Sequence, residues 1–471
     1  MELKQFTIDF KEIGKEKSFR FDVDYINFQS NFLSENCYNF NQLFEFSNND
    51  DKVDVKDLDD DFLYSEISNV SKEGDVEPVM LNFNERNEEN ENYFKKIEKG
   101  DIIKAQVNEI LLSKVRPNLK KYVLIDDENS KFYYTSAFIH LIPKKLNKIL
   151  YYSFRSIFYN NIIAISRQGK GYPTLNENDM LYLKFDKAII DNLIKYEKKI
   201  ISKIEAIEQD IKELKKQIIP TRKIINKVFA EEFKFDMKKF KKLKKEKFFE
   251  IEISQINTPL IRSTVIQNKP SLNFIKKFLT KDSIFLKNII INKIKRGKQP
   301  EYVDDGIKVI KTINIQDGNV TFDEVQFVSK NFFNLNKEKA GVYINDLLLT
   351  STGMGRGKFA LYINDEPCFA DSHISIIRFN QKLFMPDFLN YYCQSFLGTE
   401  QLKYIETQIK GTPEIYEEQL NYFQIIKVSL PCQRKIIDKI KGELDNQEEI
   451  KQKIICLKNQ FNLIIEEFIN L

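Results

Sequence analysis

The hydrophobic positions of this chain follow two different periods, and the two alternate along the sequence. Short runs of apolar and β-branched residues, such as 122–125 and 374–377, are bounded by Gly, Asn and Asp, which is typical of strands joined by tight turns. Two other segments carry apolar residues at alternating steps of four and three, a pattern that predicts helices with one heptad seam. The order is strand-rich region, helix, strand-rich region, helix.

Each predicted helix needs a partner, because it has only one apolar stripe. An antiparallel intramolecular pair is favoured; core packing of a helical subdomain and a homodimeric coiled coil are the alternatives. About 30 residues at about 1.5 Å each would hold the strand-rich regions roughly 45 Å apart. Pro220 is expected to end or kink the first helix. The seams consist of Ile200, Ile204, Ile207, Ile211, Leu214 and Ile218, and of Ile450, Ile454, Leu457, Phe461, Ile464 and Phe468.

The strand-rich regions are two copies of one pattern. Gly171-Tyr172-Pro173 recurs as Gly411-Thr412-Pro413, residues 110–113 recur as 347–351, and residues 66–70 recur as 311–315. The three landmarks keep their order at offsets between about 236 and 246 positions. That offset is far longer than a solenoid repeat, so each copy is expected to be a complete domain.

These patterns predict a mixed α/β (α+β) fold with two tandem domains, each followed by a long helix, and with the helices pairing as an antiparallel coiled coil. The basic run 238–245 could grip phosphates between the domains or form a solvated linker face. The predicted segments are a first domain at 1–188, a central coiled-coil helix at 189–230, a basic linker at 231–265, a second domain at 266–432 and a C-terminal coiled-coil helix at 433–471.

Composition narrows the class of protein. With 471 residues, 42% of them hydrophobic, the chain can form two or three domains with cores of their own. Lys and Arg (73) nearly cancel Asp and Glu (69), so any nucleic-acid surface must be local. The five cysteines are dispersed and form no CxxC pair, which favours a reducing cytoplasm. No signal peptide or membrane-spanning apolar run is found, so we expect a cytoplasmic protein with no membrane partner.

The second copy carries a family resemblance from about 285 to 445. Residues 411–415, 426–431 and 433–440 resemble the end of target recognition domains in type I specificity subunits. Residues 348–353, Arg356-Gly357 and residues 370–373 look like the centre of such a domain, and 297–300 with 310–315 look like its start. The first copy is less similar, since residues 113–118 replace the Gly-rich loop. The chain thus resembles the specificity subunit of a type I restriction-modification enzyme with two target recognition domains.

This resemblance implies a non-catalytic DNA-binding role in a restriction system that acts in DNA methylation and phage defence. Each domain would read half of a bipartite site in double-stranded DNA, and the helices would set the gap. Modification (methyltransferase) subunits, expected as two copies, would dock on the helices, and restriction subunits would join them. The chain would bind no cofactor or metal itself, with S-adenosylmethionine, ATP and Mg²⁺ held by partners. In agreement, the sequence contains no Asn-Pro-Pro-Tyr-like tetrapeptide, Walker A loop or HExxH helix.

Loops after the repeated strands supply cations for phosphates and forked or amide side chains for base edges. Arg116 and Gln168 are the preferred base readers, because Arg can fork onto guanine and Gln onto adenine. Any single candidate could instead be an ordinary surface residue. The candidates in the first copy are Lys114, Arg116, Asn118, Lys120, Lys121, Arg167, Gln168, Lys170 and Tyr172. Those in the second copy are Lys293, Lys295, Arg296, Lys298, Gln299, Ser351, Thr352, Arg356, Lys358, Lys410 and Thr412.

Other classes of function remain open. The repeated domains could bind protein in a structural scaffold, a dispersed carboxylate cluster could form a nuclease or methyltransferase site, or the chain could serve a related phage-defence methyltransferase system. His373 is expected to pack or to contact DNA, since the chain has only two histidines and they are not at equivalent places. Leu463, Ile465 and Ile469 lie off the heptad seam and suggest an apolar docking face.

Overall fold

The computed structural model divides the chain into two units, each with its own core. Unit 1 combines residues 1–217 with 451–471, and unit 2 spans 218–450. The structure describes residues 24, 25, 28, 29, 36–47, 53–86, 90–168, 171–246, 248–250, 269–280, 282–316, 318–322, 325–353, 355–405, 407–409 and 412–469.

Unit 1 is a mixed α/β domain. Its helices are α1 Phe40–Leu43, α2 Glu91–Ile97, α3 Asn147–Arg155, α4 Tyr159–Ile165, α5 Glu177–Met180, α6 Lys187–Lys195 and α7 Glu197–Lys216. Its strands are β1 Cys37–Asn39, β2 Phe44–Phe46, β3 Asp61–Ser65, β4 Val79–Asn82, β5 Ile103–Lys104, β6 Ile110–Ser113, β7 Tyr122–Leu124, β8 Tyr133–Tyr134, β9 Phe138–Pro143, β10 Arg167–Gln168, β11 Pro173–Thr174 and β12 Lys184–Asp186.

Two four-stranded sheets form the centre of unit 1, in the orders β2-β9-β6-β7 and β4-β3-β8-β5. All pairs are antiparallel except β3 with β8. Every residue of β6 is buried, as expected for a central strand packed on both faces. Two antiparallel pairs, β1 with β12 and β10 with β11, complete the unit.

Unit 2 is also mixed α/β. Its helices are α8 Thr221–Glu232, α9 Met237–Lys245, α10 Pro270–Leu279, α11 Lys330–Ala340, α12 Pro386–Gln394, α13 Phe396–Ile405, α14 Glu417–Leu420 and α15 Leu430–Ile469, of which residues up to 450 belong to this unit. Its strands are β13 Ser283–Phe285, β14 Lys295–Arg296, β15 Tyr302–Val303, β16 Ile307–Ile310, β17 Ile315–Gln316, β18 Gly318–Val320, β19 Gln326–Val328, β20 Gly341–Val342, β21 Leu347–Thr350, β22 Phe359–Leu361, β23 Cys368–Ala370, β24 Ile374–Ile377, β25 Thr407–Ile409, β26 Thr412–Glu414 and β27 Gln424–Ile426.

The sheets of unit 2 repeat the connections of unit 1. Their orders are β14-β24-β21-β22-β18-β17 and β15-β19-β16-β23-β20, with separate pairs β13–β27 and β25–β26. The buried strand β21 lies between β22 and β24 as β6 lies between β7 and β9. The parallel pair β16–β23 corresponds to β3–β8. The predicted tandem mixed α/β fold is therefore confirmed.

The landmark at residues 66–70, which recurs as 311–315, has the same conformation in both units. Asn69 and Asn314 each end a short 3-10 helix and accept a hydrogen bond from the backbone N–H of Glu66 and Lys311, at 2.8 and 2.9 Å. Such Asn caps fix a tight turn, because the side-chain oxygen satisfies a backbone donor that the helix leaves unpaired.

In unit 1, α7 and the end of α15 contact each other with opposite chain directions. Tyr196 lies against Phe468, with ring centres 5.5 Å apart, and Lys203 donates to Glu467 at 2.7 Å. Further along α7, Leu214 shares an open groove with Leu457. The seam residues Ile200, Ile204, Ile211, Ile454, Phe461, Ile464 and Phe468 are buried, and Ile207, Leu214 and Leu457 are half-buried.

The same antiparallel contacts occur in unit 2 between α8 and the first half of α15. Lys439 donates to Glu231 at 2.7 Å, Lys435 donates to Glu232 at 2.9 Å, and the Ile219 N–H donates to the side-chain oxygen of Gln447 at 2.7 Å. Ile218 and Ile450 of the seams are half-buried. Antiparallel contact thus agrees with the predicted pairing, while coiled-coil geometry along the whole helices stays a prediction.

The structure adds detail to several of the expected segments. Pro220 caps α8, so helix resumes directly after the interruption. The expected basic linker contains helix α9, and α10 begins the following segment. Of the three off-seam residues, Leu463 is exposed, whereas Ile465 is fully buried and cannot be part of an exposed docking face. No helix among the described residues is both long enough and apolar enough to span a membrane.

Candidate nucleic-acid interface

In both units the end of the buried central strand pairs with the Gly-Pro hairpin. In unit 1, Val115 bridges Thr174, and the Leu175 N–H donates to the Lys114 carbonyl at 2.9 Å. In unit 2, Thr352 bridges Glu414. We call loop 114–121 with hairpin β10–β11 the first surface, and loop 351–358 with hairpin β25–β26 the second surface.

The same backbone hydrogen bond joins the hairpin to the strand end in both units, so the two surfaces are equivalent. The Ile415 N–H donates to the Ser351 carbonyl at 3.0 Å, as Leu175 donates to Lys114 in the first copy. The hairpin landmark and the central-strand landmark of the sequence are therefore adjacent in space in each unit.

Loop 114–121 is held in an unusual backbone conformation. Arg116 and Lys120 have φ values of +51° and +52°, a left-handed region that side chains other than glycine seldom adopt. Buried Pro117 begins a short 3-10 helix between them. Hydroxyl groups of Tyr122 and Tyr159 donate to the carbonyls of residues 117 and 118, both at 2.9 Å. These bonds offset the backbone strain and leave the Arg116 and Asn118 side chains exposed.

The Arg116 side chain is exposed on the first surface. Its guanidinium carbon lies 5.2 Å from the ring centre of Tyr172, which is itself 43% exposed. Within the part of the chain that the structure describes, its guanidinium makes no ion pair and no side-chain hydrogen bond. Stacking on an aromatic ring restricts a guanidinium while leaving its N–H edge available.

Two other cations of the first surface are engaged by acids that follow the hairpin. Arg167 donates through Nε to the fully buried carboxylate of Asp179 at 2.7 Å. Lys114 pairs with Glu177 at 2.7 Å. Both acids lie on α5, so these two pairs tie the hairpin and the loop to the domain.

The remaining lysines of this loop belong to a cluster of positive charge. Lys120 donates to the Arg155 carbonyl at 2.9 Å, and burial and then the Arg155 charge lower its pKa. Burial also lowers the pKa of Lys121, followed by repulsion from Lys72 and Arg116. Mutual repulsion between these cations favours binding of an anion here.

Arg155 and Lys72 were not expected from the sequence. Arg155 donates to the Lys120 carbonyl at 2.8 Å and also bonds the Lys72 carbonyl. Neither residue lies in a repeated landmark, and only the fold brings helix α3 and the 71–76 turn to the loop. Two first-copy candidates are not fully described. The backbone of Gln168 lies in β10, but its side chain is outside the described residues, and so is the whole of Lys170.

Beside the second surface, Arg296 of β14 bonds two carboxylates and one carbonyl. Arg296 donates to Glu417 at 2.8 Å, to the Ile415 carbonyl at 3.1 Å, and to Glu414. Burial opposes the charge of Arg296, but the two carboxylates outweigh burial and raise its pKa. The hydrogen bond from Arg296 lowers the pKa of Glu414. Arg296 therefore fastens β14 to the hairpin and to α14.

Loop 351–358 depends on glycine. Gly353 and Gly357 have φ values of +82° and +81°, which favour glycine. The Thr350 hydroxyl donates to the Gly355 carbonyl at 2.6 Å and closes the loop. Lys358 is exposed and Arg356 is half-buried, with one guanidinium nitrogen 3.5 Å from the Gly353 carbonyl.

Other second-copy candidates have internal partners. Buried Ser351 bonds Ser375, and Thr352 bonds His373 through its hydroxyl. Lys298 donates to Asn336 at 2.7 Å, and Lys295 bonds the Glu338 carbonyl. Gln299 accepts a hydrogen bond from Ser372 at 3.4 Å, and Lys293 is exposed. Lys410 lies outside the described residues, as does the side chain of Thr412, whose backbone is in β26.

The histidines do not form a reactive centre with each other. His140 is buried in unit 1 and bonds Glu109 at 2.7 Å, whereas His373 is exposed beside Thr352 in unit 2. Within the described ranges, no group of three or more His, Cys, Asp or Glu side chains is placed to hold a metal ion.

No protein-family model and no curated protein matches this chain. Among solved structures, a chain from work on complex assembly and conformational transition of the type I R-M system is 14% identical, with a TM-score of 0.40, covering 92% of this chain and 97% of that one. The HsdS subunit from Thermoanaerobacter tengcongensis is 14% identical, with a TM-score of 0.33 and coverages of 92% and 96%. The type I restriction-modification S subunit from M. genitalium is 13% identical, with a TM-score of 0.36 and coverages of 93% and 97%. Similarity at this level carries no argument about function.

Proposed function

We propose that this chain is the DNA sequence-specificity subunit of a type I restriction-modification complex. The observation that carries the proposal is the repeated junction: both units place a Gly-Pro hairpin beside the end of the buried central strand. A basic or Gly-rich loop leaves each strand at that point. A protein that reads a bipartite site needs two such surfaces, one for each half-site.

The first surface has the features of a base reader. Exposed Arg116 is oriented by Tyr172, and bidentate Arg contacts to guanine discriminate bases by about 1–3 kcal/mol. The cluster around Lys120 and Lys121 suits phosphates, which position a protein without specifying sequence. On the second surface, exposed Lys358 and half-buried Arg356 would contact DNA.

The long helices would set the distance between half-sites and dock two modification subunits. Restriction subunits would join the complex, and S-adenosylmethionine, ATP and Mg²⁺ would belong to those partners in the cytoplasm. The chain itself would catalyse no reaction and bind no cofactor.

The decisive experiment is to express this chain with the modification subunit encoded beside it and to map N6-methyladenine by single-molecule sequencing. A split motif that disappears when this chain is deleted is the expected result. Absence of a motif, or a motif indifferent to the deletion, would favour a protein-binding scaffold. Methyl transfer or Mg²⁺-dependent cutting by the purified chain alone would favour an enzyme instead.

The spacer role has its own test. Deleting one heptad from residues 200–218 should change the gap in the split motif by a fixed number of base pairs, or abolish binding, while the half-site sequences stay the same. A variant with the deletion and an unchanged gap would contradict the role of the helices as a spacer. Its control is a seven-residue substitution in the same segment that keeps length and the seam.

A further inference from the structure

Helix α9 has a stripe of lysines that the recognition surfaces do not include. Lys238, Lys241, Lys242 and Lys245 are spaced at i, i+3, i+4 and i+7, so they lie on one face of the helix. All four are exposed. We call these four residues the lysine stripe.

The opposite face of α9 fixes the helix to unit 2. Phe240 is 3% exposed and packs between Phe235 and Phe396, with ring centres 5.7 and 5.9 Å away. Asp236 caps the helix by accepting the Lys239 N–H at 2.9 Å. The lysine stripe is therefore presented by an anchored helix, and its direction is set by the core.

The other two lysines of α9 have partners within unit 2, unlike the lysines of the stripe. Lys244 donates to Glu400 at 2.7 Å, and the Lys239 ammonium lies 5.4 Å from the ring centre of Phe274. Among the described residues, none of the four stripe lysines forms an ion pair or a side-chain hydrogen bond. Four unpaired positive charges thus occur within about 10 Å of helix axis. The formal charge of the whole chain is only +4, so this is a strong local concentration.

We propose that the lysine stripe binds the phosphate backbone of duplex DNA without regard to sequence. Lysine is a point charge on a flexible stem and needs no fixed acceptor geometry, which suits phosphates. A span of about 10 Å holds about three phosphate intervals, and so about four phosphates, along one strand. The stripe adds affinity and does not read bases, so it extends the proposed function and is independent of the two surfaces.

The chemistry of the stripe disfavours other anionic partners. Protein interfaces are depleted in lysine and need an apolar centre, and the stripe positions contain no apolar residue. Membrane-surface helices insert an apolar face, whereas the apolar face of α9 is buried in the unit core.

The test uses the full-length protein and a 30-base-pair duplex that lacks any methylated motif. The stripe variant carries Lys238→Gln, Lys241→Gln, Lys242→Gln and Lys245→Gln. The control variant removes the same charge from scattered exposed lysines, with Lys99→Gln, Lys131→Gln, Lys198→Gln and Lys451→Gln. Dissociation constants are measured from 50 to 200 mM KCl, and thermal unfolding checks that both variants fold.

Each lost phosphate contact should lower the slope of log affinity against log salt by about 0.9, or about 3.6 for all four. The ratio of the stripe variant's dissociation constant to that of the unmodified protein should therefore be about a hundredfold greater at 50 mM than at 200 mM salt. The control variant should keep nearly the original slope, and a stripe of four Lys→Arg substitutions should keep it as well.

Two results would overturn the site. These are an unchanged slope in the folded stripe variant, or an equal loss in the control variant. Retained DNA binding with lost binding to partner subunits or to phosphatidylglycerol vesicles would assign the stripe to those partners instead. Because the probe contains no target motif, the test gives the same answer whether or not the chain reads a bipartite site.

Discussion

The two candidate surfaces share a backbone and differ in what their arginines do. On the first, Arg116 is exposed and stacks on Tyr172, while the hairpin is held by the separate pair Arg167–Asp179. On the second, Arg296 holds the hairpin through Glu414 and Glu417. A guanidinium bonded to two carboxylates has few donors left for a base. We therefore divide the arginines near the hairpins into fasteners, which hold the hairpin, and readers, which we propose contact bases. The division follows from ion pairing and not from position in the repeat.

The largest effect should come from removing the fastener of the second surface. Arg296→Ala leaves two partly buried carboxylates without their donor, which costs about 1–3 kcal/mol. Hydrogen exchange should show lost protection in β25–β26 and α14, and the motif should lose only the half-site read by unit 2. Lys382→Ala, at an exposed lysine of unit 2 outside the candidate set, serves as the control. If Arg296→Ala leaves protection intact and alters base preference, Arg296 is a reader and the comparison fails.

Removing the reader of the first surface should change specificity without changing stability. Arg116→Ala should reduce discrimination at one position of one half-site by about 1–3 kcal/mol, roughly five- to hundredfold. Arg116→Lys should keep the attraction to phosphates but lose the bidentate hydrogen bonds to a base. Specificity should therefore decrease more than affinity. Methylation sequencing reports both. Equal loss at the two half-sites would contradict reading by separate units.

The smallest expected effect is the pH dependence of the stability that the Arg296–Glu414 pair contributes. Arg296 holds the pKa of Glu414 below its usual value, so the pair contributes stability above the unfolded pKa and loses it as pH falls through the folded one. Glu414→Gln should therefore cost less than about 1 kcal/mol at neutral pH, because the pair is partly exposed. The difference from the unmodified protein should shrink below about pH 4. A difference that stays constant from pH 7 to pH 3 would show that the charge of Glu414 is irrelevant.

Repeats and periodicity were readable from the sequence because they depend on local pattern. The landmarks around Pro173 and Pro413 became hairpins, and the heptad positions of α7 and the end of α15 became buried or half-buried ones. Side-chain pairing was not readable, since Arg296 and Glu414 are 118 positions apart and only the fold joins them. Burial of Ser351 likewise depends on a strand pair, with β24 covering the end of β21.

The off-seam residues show the limit of a one-stripe analysis. Ile465 was expected on an exposed face, yet it is fully buried, whereas Leu463 is 63% exposed. A helix that packs against both a partner helix and a sheet domain buries a face wider than a/d positions alone. Position in a heptad therefore predicts contact with the partner helix but not with the domain beside it.

The contact between Tyr152 and Phe461 in unit 1, with stacked ring centres 4.2 Å apart, also bears on biosynthesis. Unit 1 contains residues 451–471, so the ribosome must make the whole of 218–450 before the N-terminal unit can close. At about 5–20 residues per second, that delay is on the order of ten to fifty seconds. During this interval the nascent unit 1 presents the apolar surface around Tyr152 to the cell, and chaperones have a defined window in which to bind it.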